Sequence, residues 1–198
     1  MKKTNHVNIG GMVFTIDEDA YQRLAGYLDA IEAHFRDSGE RQEIIGDIES
    51  RIAELLRKRM GSSREVVVME DVVEIIRILG DPEEFGDGSD GKAGTWKEPH
   101  SRYYRRMYRD PDHRILGGVC AGMGAYWHID PVLLRIAFLI AFFGFGIGIL
   151  IYLLLWIVLP PARTTAEKLE MRGEPVTFEN IGKFVKEEFG QVKKNMKF

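Results

Sequence analysis

An uncharged apolar run from Ile136 to Leu159 constrains this chain more than any other feature. It follows Asp130-Pro131, a helix-start pair in which the carboxylate caps and the proline occupies the first turn, and Pro160-Pro161 stops it. Roughly 20 apolar residues of helix cross the hydrocarbon core of a bilayer, and the run supplies slightly more. A water-soluble core has little use for such a block, so the run predicts membrane anchorage. It lies two-thirds of the way along the chain, too deep for a cleaved leader. Gly144, Gly146 and Gly148 interrupt its middle and leave two geometries open. One is a single tilted helix with a weakened centre. The other is a re-entrant hairpin, whose arms of roughly a dozen residues fall short of a bilayer. The single span is the expectation. Arg135 at its start can snorkel to an interface, and Tyr152 and Trp156 suit the far one. Arg163, Lys168 and Arg172 partly balance the arginines upstream, so basic residues give little orientation.

Charge divides the chain. Of its 198 residues, the first ninety carry 11 Lys/Arg against 20 Asp/Glu, and the remainder 16 against 10. This pattern predicts an acidic folded head followed by a basic, membrane-proximal half. With no export signal before it, the head is expected in the cytoplasm and the apolar run in the inner (plasma) membrane. A lone cysteine, Cys120, excludes an intramolecular disulfide framework and argues against a cysteine-based metal cluster.

The expected fold class is mainly α. His6–Ile9 and Met12–Thr15 flank Gly10-Gly11 as a β-hairpin. Asp17 then caps a helix with Tyr21, Leu24, Leu28, Ile31 and Phe35 along one face. A second helix, 40–60, turns Ile44, Ile45, Ile48, Ile52, Leu55 and Leu56 inward. After an extended Val66-Val67-Val68, a third helix over 70–79 buries Val72, Val73, Ile76 and Leu79 and ends at Gly80. These elements form a three-helix head over 1–85. Asp81-Pro82-Glu83-Glu84 follows as an acidic turn, either plain helix punctuation or a docking epitope. Glu49, Arg51 and Glu54 have no histidine or nucleophile in catalytic spacing and read as a solvated face.

Residues 86–101 begin with a Gly/Ser/Asp-rich stretch that cannot bury apolar area, and read as a flexible linker. A segment of interleaved arginine and tyrosine opens the membrane module, 102–161. Its Arg105, Arg106 and Arg109 could bind nucleic acid by charge and stacking. Beside an apolar run they more simply grip anionic headgroups, so no direct nucleic-acid contact is expected. The next segment predicts a helix with Leu116, Val119, Cys120, Met123 and Trp127 on one face. Gly117, Gly118, Gly122 and Gly124 are costly inside a helix, at about 1 kcal/mol each against alanine, which implies a close backbone approach. Gly118 and Gly122 have the small-xxx-small spacing of tight helix contacts, so Gly117, Gly118 and Gly122 are the expected helix-contact residues. No strand or Gly-Lys-Ser/Thr supports a phosphate cradle. His113 and His128 lack metal-ligand spacing.

Two resemblances emerge from these residues. Leu79-Gly80-Asp81-Pro82-Glu83-Glu84, closing the run of head helices, resembles the end of the small helical adaptor modules of membrane proteins paired with PadR-type regulators. That resemblance implies a protein-docking head. Arg114, Gly117-Gly118-Val119-Cys120, Gly122, Tyr126, Ile129-Asp130-Pro131 and Leu134-Arg135, with the Gly-rich run ending at Leu159-Pro160, resemble the phage shock protein C domain over about 108–161. Met123 and Gly124 depart from the residues common there. The resemblance implies a membrane sensor of envelope stress that acts through a phage-shock-type effector.

After a polar linker, 162–176, a basic amphipathic helix over 177–198 carries Phe178, Ile181, Val185, Phe189, Val192 and Met196 at 3-4 spacing. It is expected to pack on the head, to pair with a partner, or to lie on an anionic surface. Phe184 and Phe189, with Asp81, Pro82, Glu83 and Glu84, are the candidate docking residues. The resulting expectation is a stress-sensing regulatory membrane protein with no enzymatic activity and no cofactor. Its expected partners are membrane lipid and a phage-shock-type effector or PadR-like regulator, with homo-oligomerisation as a further option. The alternative is a self-associating scaffold that signals nothing.

Overall fold

The computed structural model describes residues 3–61, 64–82 and 105–195. Expectations for the 86–101 linker, and for Glu83, Glu84 and Met196, fall outside these residues. The chain divides into two compact units, 1–96 with 176–198, and 97–175.

The first unit is the head. Strands β1 (Thr4–Ile9) and β2 (Met12–Asp17) pair antiparallel through the Gly10-Gly11 turn, with Val7 opposite Phe14. Both glycines have positive φ, which a two-residue hairpin requires. A side chain at Gly10 would collide with the backbone of Glu49 and Ser50, so the turn rests on a helix. A short β3 (Val66–Val67) adds parallel to β2, giving the order β1-β2-β3.

Helices α1 (Glu18–His34), α2 (Arg41–Met60) and α3 (Met69–Leu79) complete the expected three-helix set. Ile16, Ile31, Ile44, Ile48, Ile52, Leu56, Ile75 and Leu79 form its solvent-free centre. Two inward assignments are corrected. In α1 the buried stripe runs Ala20, Leu24, Tyr27, Ile31, leaving Tyr21 exposed; in α3 Ile75 takes the place expected for Val73, which is exposed. Both slips have one cause. An apolar stripe on a short helix can be drawn one residue off, and only packing against the neighbouring helix fixes its rotation. Buried Asp71 accepts from the Val68 amide at 3.3 Å and pairs with Arg59 at 3.2 Å, which fastens α2 to α3.

The second unit is built from α4 (Val119–Trp127), α5 (Pro131–Phe145), α6 (Gly148–Val158) and α7 (Thr165–Arg172). The expected single span is not formed, and no helix among the described residues is long and apolar enough to cross a membrane. Gly146 ends α5 in the left-handed region at φ 68°. Gly148 then lets the returning helix press on the first, since a Cβ there would sit 2.7 Å from the Phe142 nitrogen and 2.8 Å from the Phe138 oxygen. The apolar run is therefore a helical hairpin. Its arms of 15 and 11 residues reach about 22 and 16 Å.

Residues 162–176, read as a polar linker, hold α7. Thr164 and Glu167 start it as a reciprocal capping box, a signal present in the sequence. The final helix, α8 (Phe178–Asn195), belongs to the first unit and packs on α2.

Candidate functional site

The most distinctive geometry lies at the base of the hairpin. Residues 108–110 run in extended form between the start of α4 and the end of α6. The Arg109 amide donates to Pro160 O at 2.8 Å, Ala162 N donates to Arg109 O at 2.9 Å, and Asp110 N donates to Gly118 O at 3.1 Å. The Arg109 side chain closes the same knot. Its Nε donates to Leu159 O at 2.8 Å, and its guanidinium lies 5.6 Å from the Trp156 ring centre. A cation here satisfies a carbonyl left open at a helix C-terminus and complements its dipole. The Tyr152 hydroxyl donates to Leu116 O. Arg109, Tyr152 and Trp156, assigned to two different interfaces in the single-span reading, thus meet at one end of the hairpin.

The glycines explain the tight fit. A Cβ on Gly118 would overlap the Asp110 carbonyl, and one on Gly122 would overlap the Tyr108 carbonyl. At Gly117 it would lie 2.6 Å from Cδ1 of Trp156. The expected close approach is present, but the approaching group at Gly118 and Gly122 is the module's own extended segment rather than a second helix. Gly117 and Gly118 both have positive φ and precede α4 instead of lying in it, so Leu116 is exposed and not part of a helical face.

Arg105 reaches His128 Nε2 at 2.9 Å, where His128 itself adopts φ 55° to end α4. Arg106 is exposed. The His113 Nδ1–H donates to the Asp110 carboxylate at 3.0 Å, and Asp112 pairs with Lys168 of α7 at 2.6 Å. Tyr108, buried against Ala162 and Met171, reaches Glu170 at 3.4 Å. Burial raises its phenol above the ordinary tyrosine value. Buried Cys120 likewise has its thiol pushed up by burial, the opposite of what a reactive thiolate needs. No group of metal-binding side chains occurs among the described residues.

A cavity of about 450 Å³ opens among α4, α5 and α6, lined by Cys120, Phe138, Phe142 and Leu153, with His113, Arg114 and Arg135 as its basic residues. Arg135 contributes a 3.4 Å hydrogen bond to His113 O. Neither the cavity nor its pairing of arginines with an apolar wall was read from the sequence. Its parts lie apart in the chain and meet only because the apolar run folds back.

In the first unit, α8 seats Phe178 edge-on to His34 and Phe35, at ring-centre distances of 5.6 and 6.4 Å. Gly182 presses on the Phe35 ring, and Lys186 lies 5.3 Å from the same ring's centre. The two phenylalanines assigned to docking therefore separate: Phe184 is core, whereas Phe189 is 40% exposed. Asp81 pairs with Arg23 at 3.3 Å and Pro82 is buried. The described part of the acidic turn is thus fastened to the head.

Residues 105–162 match the PspC domain model and residues 26–87 match the HAAS model. HAAS modules are the adaptor-like heads paired with PadR-type regulators. No curated protein and no solved structure gives a significant match. The HAAS match thus falls within the head that α8 completes, and the PspC match falls on the hairpin and its glycine-locked base.

Proposed function

We propose that this protein is a membrane-associated regulator of the phage-shock type, with the PspC hairpin set in one face of the plasma membrane and the HAAS head binding a PadR-like regulator or a phage-shock-type effector in the cytoplasm. One observation carries the membrane part. Along α5 and α6 the apolar side chains face outward, with Phe143 81% and Ile157 78% exposed and Gly148 the buried residue of α6. An apolar surface of this extent needs covering, and hydrocarbon covers a hairpin on all sides. Its arms are shorter than the roughly 30 Å apolar core, so the hairpin enters and leaves by the same face. The HAAS match supports a regulator as partner, because modules of that kind pair with PadR-type proteins.

In this mechanism, a change in lipid packing alters the hairpin, and the head changes its hold on the regulator. The test is mild crosslinking of the full-length protein in cells, followed by affinity capture and mass spectrometry. Recovery of a transcriptional regulator or phage-shock effector, lost when the head surface is mutated, is the expected result. Recovery of the protein alone, in oligomers, would replace regulation with a self-associating scaffold.

A further inference from the structure

We propose that the cavity among α4, α5 and α6 binds one anionic phospholipid, with the phosphate held by Arg114 and Arg135 and an acyl chain laid along Phe138, Leu139, Phe142 and Leu153. The proposal rests on the reading that the hairpin lies in lipid, and it assigns to that hairpin a particular ligand class and site.

The cavity, at about 450 Å³, falls within the range of roughly 300–1,000 Å³ typical of small-molecule sites. Its wall is apolar, and its charged side chains are basic. Arg114 is exposed and Arg135 half-buried; among the described residues neither has an ion-pair partner, and Arg135 bonds the His113 carbonyl. The carboxylates close by in sequence are already engaged. Asp110 holds His113 and two backbone amides, and Asp112 holds Lys168. Two guanidiniums beside an apolar groove therefore lack acidic compensation from the chain's own neighbouring acids.

An amphiphile with an anionic head supplies both halves of what is missing. Guanidinium matches phosphate oxygens in a forked, charge-assisted geometry, and the chain fills the apolar wall. A zwitterionic lipid carries its own cation and leaves the second arginine less well matched. Free phosphate makes no use of the groove.

The experiment uses full-length protein in mild detergent, incubated with phosphatidylglycerol or phosphatidylcholine of identical chains and examined by native mass spectrometry. One retained phosphatidylglycerol per chain, in preference to phosphatidylcholine, is expected. Arg114→Gln with Arg135→Gln should lower retention about tenfold or more, since each basic residue contributes about 1 kcal/mol towards anionic lipid. Leu153→Trp, which leaves both arginines in place and narrows the groove, should lower it as well. Glycerophosphoglycerol, the headgroup without chains, should not displace the lipid. Equal retention of the two lipids, undiminished retention in both variants, or displacement by the headgroup alone would each overturn the site. Flotation with vesicles separates the two proposals. Wild-type protein that fails to float removes the membrane reading itself, whereas protein that floats without preference for phosphatidylglycerol removes only the lipid site.

Discussion

Gly118 and Gly122 show how much a single hydrogen atom in place of a methyl group can decide. Each faces a backbone carbonyl of residues 108–110 that a Cβ would overlap, and backbone cannot swing aside as a flexible side-chain tip can. Gly122→Ala should therefore destabilise the second unit by about 1–3 kcal/mol, the usual cost of overpacking. Gly118→Ala should cost more, because φ 79° adds left-handed strain. Gly144→Ala is the control: with open space around it, it should be neutral or gain up to about 1 kcal/mol in helix propensity. Denaturant titration in mild detergent, followed by tryptophan fluorescence, distinguishes the three. In the head, Tyr27 donates to Gly80 O at 2.8 Å, and burial, then the nearby Asp81 carboxylate, pushes its phenol well above the ordinary value of 10.0. The folded state holds that proton more tightly than the unfolded chain. Its contribution is thus complete below about pH 10 and lost as pH rises through the folded value. Tyr27→Phe should cost about 1 kcal/mol near neutrality, and the gap to wild type should narrow above about pH 10. A gap that stays constant with pH would show that Tyr27 is not the titrating group.

Among the elements, α8 has two halves with different work. Phe178, Ile181, Phe184 and Val185 are buried, while Phe189 and Val192 lie exposed farther along. Phe178→Ala should cost about 3–5 kcal/mol, as large-to-small changes at packed aromatic sites do, and Phe189→Ala should stay within about 0.5 kcal/mol. Hydrogen exchange on α2 reports the outcome: faster exchange with the first variant, none with the second. Similar effects from both would mean that α8 is held along its whole length. Much of this element was legible in advance, because 3-4 spacing of apolar residues specifies a helix and its sticky face. What that face meets was not, since head packing and partner binding demand the same stripe. The hairpin was half legible for a related reason. Gly144, Gly146 and Gly148 marked a weak centre, but only Gly146 turns and only Gly148 is pressed upon. Composition cannot separate a bent helix from two helices when the deciding term is contact between the arms. The α7 helix could have been found from Thr164 and Glu167, whose spacing is that of a capping box. The base of the hairpin could not, because Arg109, Gly118 and Leu159 are joined only by tertiary folding.

At the scale of the molecule, the two units make one topological statement by independent routes. The first unit contains α8 as well as the head helices, since α8 packs on α2. The second returns on itself, since Arg109 bridges Pro161 beside the start of α4. A single crossing would put the head and α8 in different compartments, where α8 could not cover Phe35. Under the membrane placement proposed above, a hairpin leaves both on one face, so the packing of α8 on α2 and the bend at Gly146 agree. The proposed placement therefore puts the tail on the side of the head, a side that basic residues alone do not select, because arginines and lysines flank the apolar run on both sides. In a Cys120→Ala background, Asp112→Cys and Arg163→Cys flank the hairpin, while Glu187→Cys marks α8. All three should react with a membrane-impermeant maleimide from the same side of sealed vesicles, and Phe143→Cys, near the bend, from neither. Labelling of Asp112→Cys and Arg163→Cys from opposite sides would restore a full crossing and separate α8 from the head.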